Sequence, residues 1–150
     1  MRLFTLAKRE AIDAALCKVA PEGEVKAAYA AFSAAEILAP AVRQPRQWLM
    51  ASPDVAGELV KRIDAKPADS GDNLVLLVPP DDGPFFDAQV RSGSPAVTSP
   101  LQTYLDVAHL AGRGEEAAEA IMEQVLKPAW KTKGLVYPLT SPKGPATARG

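Results

Sequence analysis

The chain is poor in the side chains that metal and nucleophilic chemistry most often need. Its 150 residues hold one histidine and one cysteine. Cys17 alone forms no disulfide framework and no cysteine-rich metal site. His109 alone excludes a histidine-based metal cluster, and a Ser-His-Asp arrangement would have only this base to use. No GxSxG elbow, P-loop or GxGxxG occurs. The residues therefore point to no catalytic centre, metal or cofactor. No apolar run approaches the roughly 20 residues of a membrane span. Acidic and basic residues interrupt MRLFTLAKREAIDAALC, so it does not read as a signal peptide. With the lone cysteine, that leads us to expect a cytoplasmic protein. The chain is also nearly without net charge, at −1, so bulk charge indicates neither nucleic-acid nor anionic-membrane binding.

What is present fits one domain. A chain of this length buries roughly two-thirds of its unfolded surface. The charge is uneven: residues 131–150 carry Lys131, Lys133, Lys143 and Arg149 with no acid, so residues 1–130 carry the negative excess. The expected organisation is a domain over 1–130 and a basic, Pro/Gly-rich tail over 131–150, mobile by composition. Leu135, Val136, Tyr137 and Leu139 are candidates for an edge strand within it. The tail lysines and arginine are candidates for nonspecific phosphate contact.

Periodicity predicts a helix over 5–19, with Leu6, Ile12, Leu16 and Val19 on its apolar face. Val25 to Phe32 is ambiguous between helix and strand. Ser33 and Glu36 have capping-box spacing for a short helix that Pro40 stops. A strand is expected over 45–51, with Trp48 and Met50 on one face. Ser52-Pro53-Asp54 starts a helix that buries Val55, Leu59 and Ile63. Residues 67–72 read as a loop. NLVLLV at 73–78 reads as a strand buried on both faces. PPDDGP forms a turn, with Asp81-Asp82 as turn residues, and Phe85 and Phe86 return to the core. A short strand is expected near Ala96 and Val97. Trp48 and Trp130 are expected to pack in the core or at its edge.

SPLQTYLDVAHLAGRGEEAAEAIMEQVLKPAW, residues 99–130, reads as two helices joined at a Gly-Arg-Gly corner. Ser99 caps the first, with Pro100 at its first position. Leu101, Tyr104, Leu105 and Ala108 fit an i, i+3, i+4, i+7 apolar stripe, expected inward. Gln102, Asp106, His109 and Arg113 form the opposite stripe. That stripe is either a solvated face, with Asp106 paired to His109 or Arg113, or a surface for a protein partner. Gly112 is expected in a left-handed conformation. Glu115 and Glu116 open the second helix at its positive end. Its stripe is Ala118, Ile121, Met122, Val125 and Leu126, Glu123 pairs with Lys127, and Pro128 ends it. Both stripes are expected to pack on the strand layer. GRGEE is no phosphate loop, because it follows a helix and carries two acids. Asp54, Glu58 and Lys61 have a nuclease-like composition, but they fall on an expected helix where a nuclease core needs strands. The fold class is α/β (α+β): a small mixed sheet covered by helices, with a C-terminal antiparallel helix pair.

Ser99, Pro100, Gln102, Tyr104, Leu105, Asp106 and the run Gly112–Glu119 resemble the closing phrase of AbiEi-family antitoxins, the transcriptional regulators of type IV bacterial toxin–antitoxin (abortive-infection, phage-defence) systems. FSAAEILAP at 32–40, the strand after Arg43 and NLVLLVPPDDGPFF resemble earlier parts of the same domain, so the likeness spans roughly 25–130. It implies a domain that counters a nucleotidyltransferase-like toxin without a stable complex. Gln102, Asp106, Arg113 and Glu116 are the candidate partner-binding residues, chosen because they match the phrase and are expected to be exposed. Family members carry an N-terminal winged helix. About 25 residues precede the likeness here, too few for one. The alternative reading is a DNA-binding regulator acting with a separate winged-helix part; a remote one is a nuclease-like enzyme.

Overall fold

The computed structural model describes residues 1–90 and 93–132. Its elements are β1 (Arg2–Phe4), α1 (Arg9–Lys18), β2 (Ala27–Tyr29), α2 (Ala31–Leu38), β3 (Gln47–Ala51), α3 (Pro53–Arg62), β4 (Lys66–Pro67), β5 (Leu74–Leu77), a 3-10 turn (Gly83–Phe85), α4 (Pro100–Ala108), α5 (Gly114–Ile121), a π-helical turn (Met122–Leu126) and α6 (Lys127–Thr132). Among the described residues the strands form one mixed sheet in the order β2-β3-β5-β1-β4. β3 and β5 run parallel; the other pairs are antiparallel. This is an α+β fold.

β5 lies at the centre of the sheet, with Leu74, Val75 and Leu76 buried. Its unbroken apolar run follows from that place, since both faces are covered. Alternation along β3 divides the layers. Leu49 and Ala51 join Leu3, Ile12, Leu16, Tyr29, Leu59, Ile63, Leu74 and Leu76 in a core beneath α1 and α3. Trp48 and Leu77 join the opposite core, built from α2, α4 and α5. Met50 packs with Ala28, Ala30 and Phe85. Val55, Leu59 and Ile63 are buried as their spacing predicts.

The start of the chain differs from expectation. Residues 2–4 form a strand, and Leu6 is 86% exposed instead of joining the helical face. The cause is a polar clasp at Thr5. The Thr5 N–H donates to Asn73 Oδ1 at 3.0 Å, and Asn73 Nδ2 donates to the Thr5 carbonyl at 2.8 Å. Thr5 Oγ1 donates to the Ile63 carbonyl at 2.5 Å and accepts the Ala7 N–H at 3.0 Å. These bonds hold the strand beside β5 and turn the chain before α1 begins.

The segment 25–32 resolves into β2 and the first turn of α2. Ser33 does not cap that helix. It sits inside the first turn, and its Oγ accepts the Trp48 N–H at 2.8 Å, tying α2 to β3. The turn into α2 is made at Ala31, whose φ of 46° lies in the left-handed region that non-glycine residues rarely adopt. Residues 66–67, read as the edge of a loop, form the short edge strand β4. Val97 bridges both Tyr29 and Gln89, near the strand expected there. Phe85 is buried as expected, but Phe86 is 82% exposed, because the 3-10 turn delivers only the first of the pair inward.

Candidate partner-binding surface

Ser99 and Pro100 start α4 as the sequence requires: Ser99 Oγ accepts the Gln102 N–H at 3.0 Å. The helix is nevertheless rotated from the expected orientation. Thr103 and Val107 are its buried residues, whereas Leu101 and Leu105 are 48% and 46% exposed. The physical reason is local. Thr103 Oγ1 donates to the Ser99 carbonyl at 2.8 Å and lies 2.7 Å from Thr98 Oγ1. With its hydroxyl satisfied next door, the threonine is buried at little cost. A pattern that counts threonine as polar misses this face.

The four candidate residues form two pairs instead of one stripe. Gln102 Nε2 donates to Asp106 Oδ1 at 2.8 Å. Asp106 is half-buried; burial pushes its carboxyl above the usual range, opposed by the Gln102 bond. Asp106 Oδ2 is buried without a hydrogen-bond partner among the described residues. Arg113 does not reach Asp106. Its Nε and Nη2 donate to the two oxygens of Glu116, at 3.0 and 2.7 Å, and both side chains are exposed. The expected pairing of Asp106 with Arg113 or His109 is therefore replaced: Asp106 accepts from Gln102, and Arg113 is engaged by Glu116.

The Gly-Arg-Gly corner has a steric cause at each glycine. Gly112 has φ of 81°, as expected for the residue that reverses the chain. Gly114 opens α5 against α4: a Cβ there would lie 2.2 Å from the Val107 carbonyl oxygen and 3.3 Å from Leu110 Cβ. From this contact α5 lays Ala117, Ala118 and Ile121 into the core with Phe32 and Ala35 of α2. The pair thus packs on α2, and only Trp48 and Leu77 of the sheet join that core, a correction to direct packing on the strands.

Pro128 does not end the second helix. Lys127 N–H bonds to the Met122 carbonyl five residues back, and the helix continues as α6 to Thr132. The widened turn accommodates a residue that has no N–H and whose ring crowds the carbonyl of the preceding turn. Glu123 and Lys127 pair at 2.7 Å as expected. Of the basic tail, Lys131 is exposed on α6. Lys133, Lys143 and Arg149, and the strand expected at 135–139, lie outside the described residues.

Two features escaped the sequence reading. A groove of about 600 Å³ runs between α4 and the second helix; Tyr104, Ala108 and Met122 line it, with Glu115, Glu119 and Glu123 among its acids. A second pocket, of about 190 Å³, contains Arg9, Asp13 and Tyr29. The Tyr29 hydroxyl donates to Asp13 Oδ1 at 2.5 Å, and the Arg9 guanidinium lies 4.3 Å from the Tyr29 ring centroid. Burial and then the Asp13 bond hold that hydroxyl above its usual range, so it stays a donor. The first depends on how two successive helices are rotated against each other, and the second joins elements distant in the chain, so neither has a linear motif.

Asp54, Glu58 and Lys61 all lie on α3. Asp54 accepts from Ser52 Oγ and from Lys26 Nζ, and Glu58 pairs with Arg62 at 2.9 Å. Asp81 Oδ1 accepts the Gly83 N–H at 2.8 Å, the turn its sequence suggests. Among the described residues no three His, Cys, Asp or Glu side chains gather as a metal site, and no helix is long and apolar enough to cross a membrane.

By fold the chain is an α+β domain with a helical hairpin packed on α2. A family model described as transcriptional regulator, AbiEi antitoxin, type IV TA system, matches residues 13–127, and the chain belongs to that family. The match begins within α1, earlier than the likeness read from motifs, and ends as α6 begins. No curated protein and no solved structure matches the chain.

Proposed function

We propose that this domain is a non-enzymatic antitoxin that counters a nucleotidyltransferase-like toxin encoded alongside it, from the cytoplasm and without a lasting complex. The observation that carries the reading is the family match over residues 13–127, which includes the whole α4–α5 hairpin. Within the hairpin, the exposed Arg113–Glu116 pair offers a guanidinium and a carboxylate at the corner, and the partly buried Gln102–Asp106 pair lies on α4. These are the groups a transient partner would meet.

The test is growth rescue of cells that express the neighbouring toxin. The wild-type chain restores growth. The double variant Arg113→Ala/Glu116→Ala loses rescue while its melting temperature stays near the parent's, since an exposed ion pair contributes about 0–1 kcal/mol. Full rescue by that variant removes the corner from the mechanism. A nuclease reading is tested in parallel: Asp54→Asn and Glu58→Gln leave rescue intact, and a metal-dependent cleavage lost in both would overturn the non-enzymatic reading.

A second reading is promoter binding together with a separate winged-helix part. It is favoured by Lys131, exposed on α6 and followed by further basic residues with no acid. It requires affinity that falls steeply with salt and weakens when residues 131–150 are removed.

A further inference from the structure

The fold leaves much of the apolar stripe of α4 uncovered. Leu101 and Leu105 stand about half exposed. Tyr104 and Ala108 continue the stripe into the groove, where Met122 and Ala118 complete an apolar floor. Four carboxylates border that floor, from Glu115, Glu116, Glu119 and Glu123. Glu116 is engaged by Arg113 and Glu123 by Lys127. Among the described residues, Glu115 and Glu119 have no ion-pair partner. They stand one helical turn apart, where like charges repel. The surface thus combines an open apolar strip with two uncompensated acids, and it suits an occupant that is basic and partly apolar.

The chain carries such a segment. Residues 133–150 include Lys133, Lys143 and Arg149, no acid, and the run Leu135-Val136-Tyr137-Pro138-Leu139. The described helix ends at Thr132, and it is the direct continuation of the turn that supplies Met122 and Glu123 to the groove. The eleven residues of helix from Met122 to Thr132 span about 15 Å at a rise of roughly 1.5 Å per residue. The eighteen residues that follow reach up to about 60 Å when extended. Reach is therefore ample, and a tethered segment meets its site at an effective concentration on the order of millimolar.

We propose that residues 133–150 dock in the α4–α5 groove of their own chain, with Lys143 against Glu115 and Glu119 and the 135–139 run against Leu101, Tyr104 and Leu105. Docking removes the like-charge repulsion on α5 and covers the open stripe. It also withdraws the basic residues from nucleic acid, so any phosphate contact by this segment competes with the groove. The proposal does not depend on the antitoxin reading.

The test is zero-length carbodiimide coupling of carboxylates to amines in the full chain, with the links located by peptide mass spectrometry. The Lys127–Glu123 pair, 2.7 Å apart, couples in every sample and reports that the reaction ran. The expected result is a link from Lys143 to Glu115 or Glu119 within one chain. High salt abolishes that link, and so does Leu101→Ser/Leu105→Ser, which leaves every amine and carboxylate in place. An isotope-labelled mixture separates links within a chain from links between copies. Links only between copies make a second copy the occupant and overturn the proposal. Absence of both while Lys127–Glu123 couples overturns it as well, and leaves the groove to a separate basic protein.

Discussion

Beneath α1 and α3, the sheet is covered by large aliphatic side chains: Leu3, Ile12, Leu16, Leu49, Leu59, Leu74 and Leu76. On the opposite side, α2 and α5 meet largely through Ala31, Ala35, Ala117 and Ala118, with Val107 and Ile121 between them. The first region gains stability from the area of each side chain. The second combines small residues, which permit close approach of backbones, with the Phe32–Trp48 ring pair, whose centroids lie 5.5 Å apart. Its extreme point is Gly114, where no Cβ fits against the Val107 carbonyl. Two cores in one chain therefore fail in opposite ways, the first through cavities and the second through added atoms.

Truncation in the aliphatic core has the largest expected effect. Leu59→Ala removes a fully buried side chain and costs about 2–5 kcal/mol in denaturant unfolding. A loss well under that range would mean the core collapses around the gap, and the contrast with the alanine-lined layer would weaken.

Gly114→Ala comes next, at a cost of about 1–3 kcal/mol from overpacking. On propensity alone the same change stabilises a helix by up to about 1 kcal/mol. The sign of the measured difference thus decides whether α4 and α5 approach as closely as the structure shows.

Two carboxylates sharpen the comparison through pH. Asp72 lies by the sheet, held 2.6 Å from Arg46, and that bond lowers its folded pKa. Its stabilisation is present above the ordinary carboxylate range and lost as pH falls through the folded value. Asp106 lies on the helical side, where burial raises its folded pKa. Its contribution is full below the ordinary carboxylate value, about 3.9, and is lost as pH rises through the raised one. Asp72→Asn therefore unfolds more easily than the parent at neutral pH and matches it in acid. Asp106→Asn is more stable than the parent at neutral pH and matches it in acid. Thermal melts across pH check both, and equal signs would erase the distinction.

The smallest effect belongs to Leu105→Ala. Its side chain is half exposed among the described residues, so their packing accounts for no more than about 0.5 kcal/mol of the change. A cost in the range of Leu59→Ala would mean that this stripe is buried against something in solution.

Which parts of the molecule were legible follows from the same contrast. β5 was readable because a central strand buried on both faces must be apolar throughout. α3 was readable because Ser52-Pro53-Asp54 starts it and its three buried residues share one period. The Ser99 cap, the left-handed Gly112 and the acidic start of α5 were local matters, and each holds. β1 was not readable, because its boundary depends on Thr5 meeting Asn73 and Ile63 from far along the chain. The facing of α4 was misread because a satisfied threonine behaves as apolar, and its hydroxyl partners are visible only in three dimensions. The pairing of the four candidate residues into Gln102–Asp106 and Arg113–Glu116 was not legible.

Local chemistry along the chain thus established the main helix starts, the buried central strand and the tight corner, because caps, turns and apolar runs act over a few residues. It also carried the phrase that marks the AbiEi antitoxin family. Packing chose which face of α4 points inward, which strands the N-terminus pairs with and how the helix passes Pro128. Those outcomes depend on contacts between residues far apart in the chain, where a backbone carbonyl, a buried hydroxyl or a missing Cβ outweighs hydrophobic period.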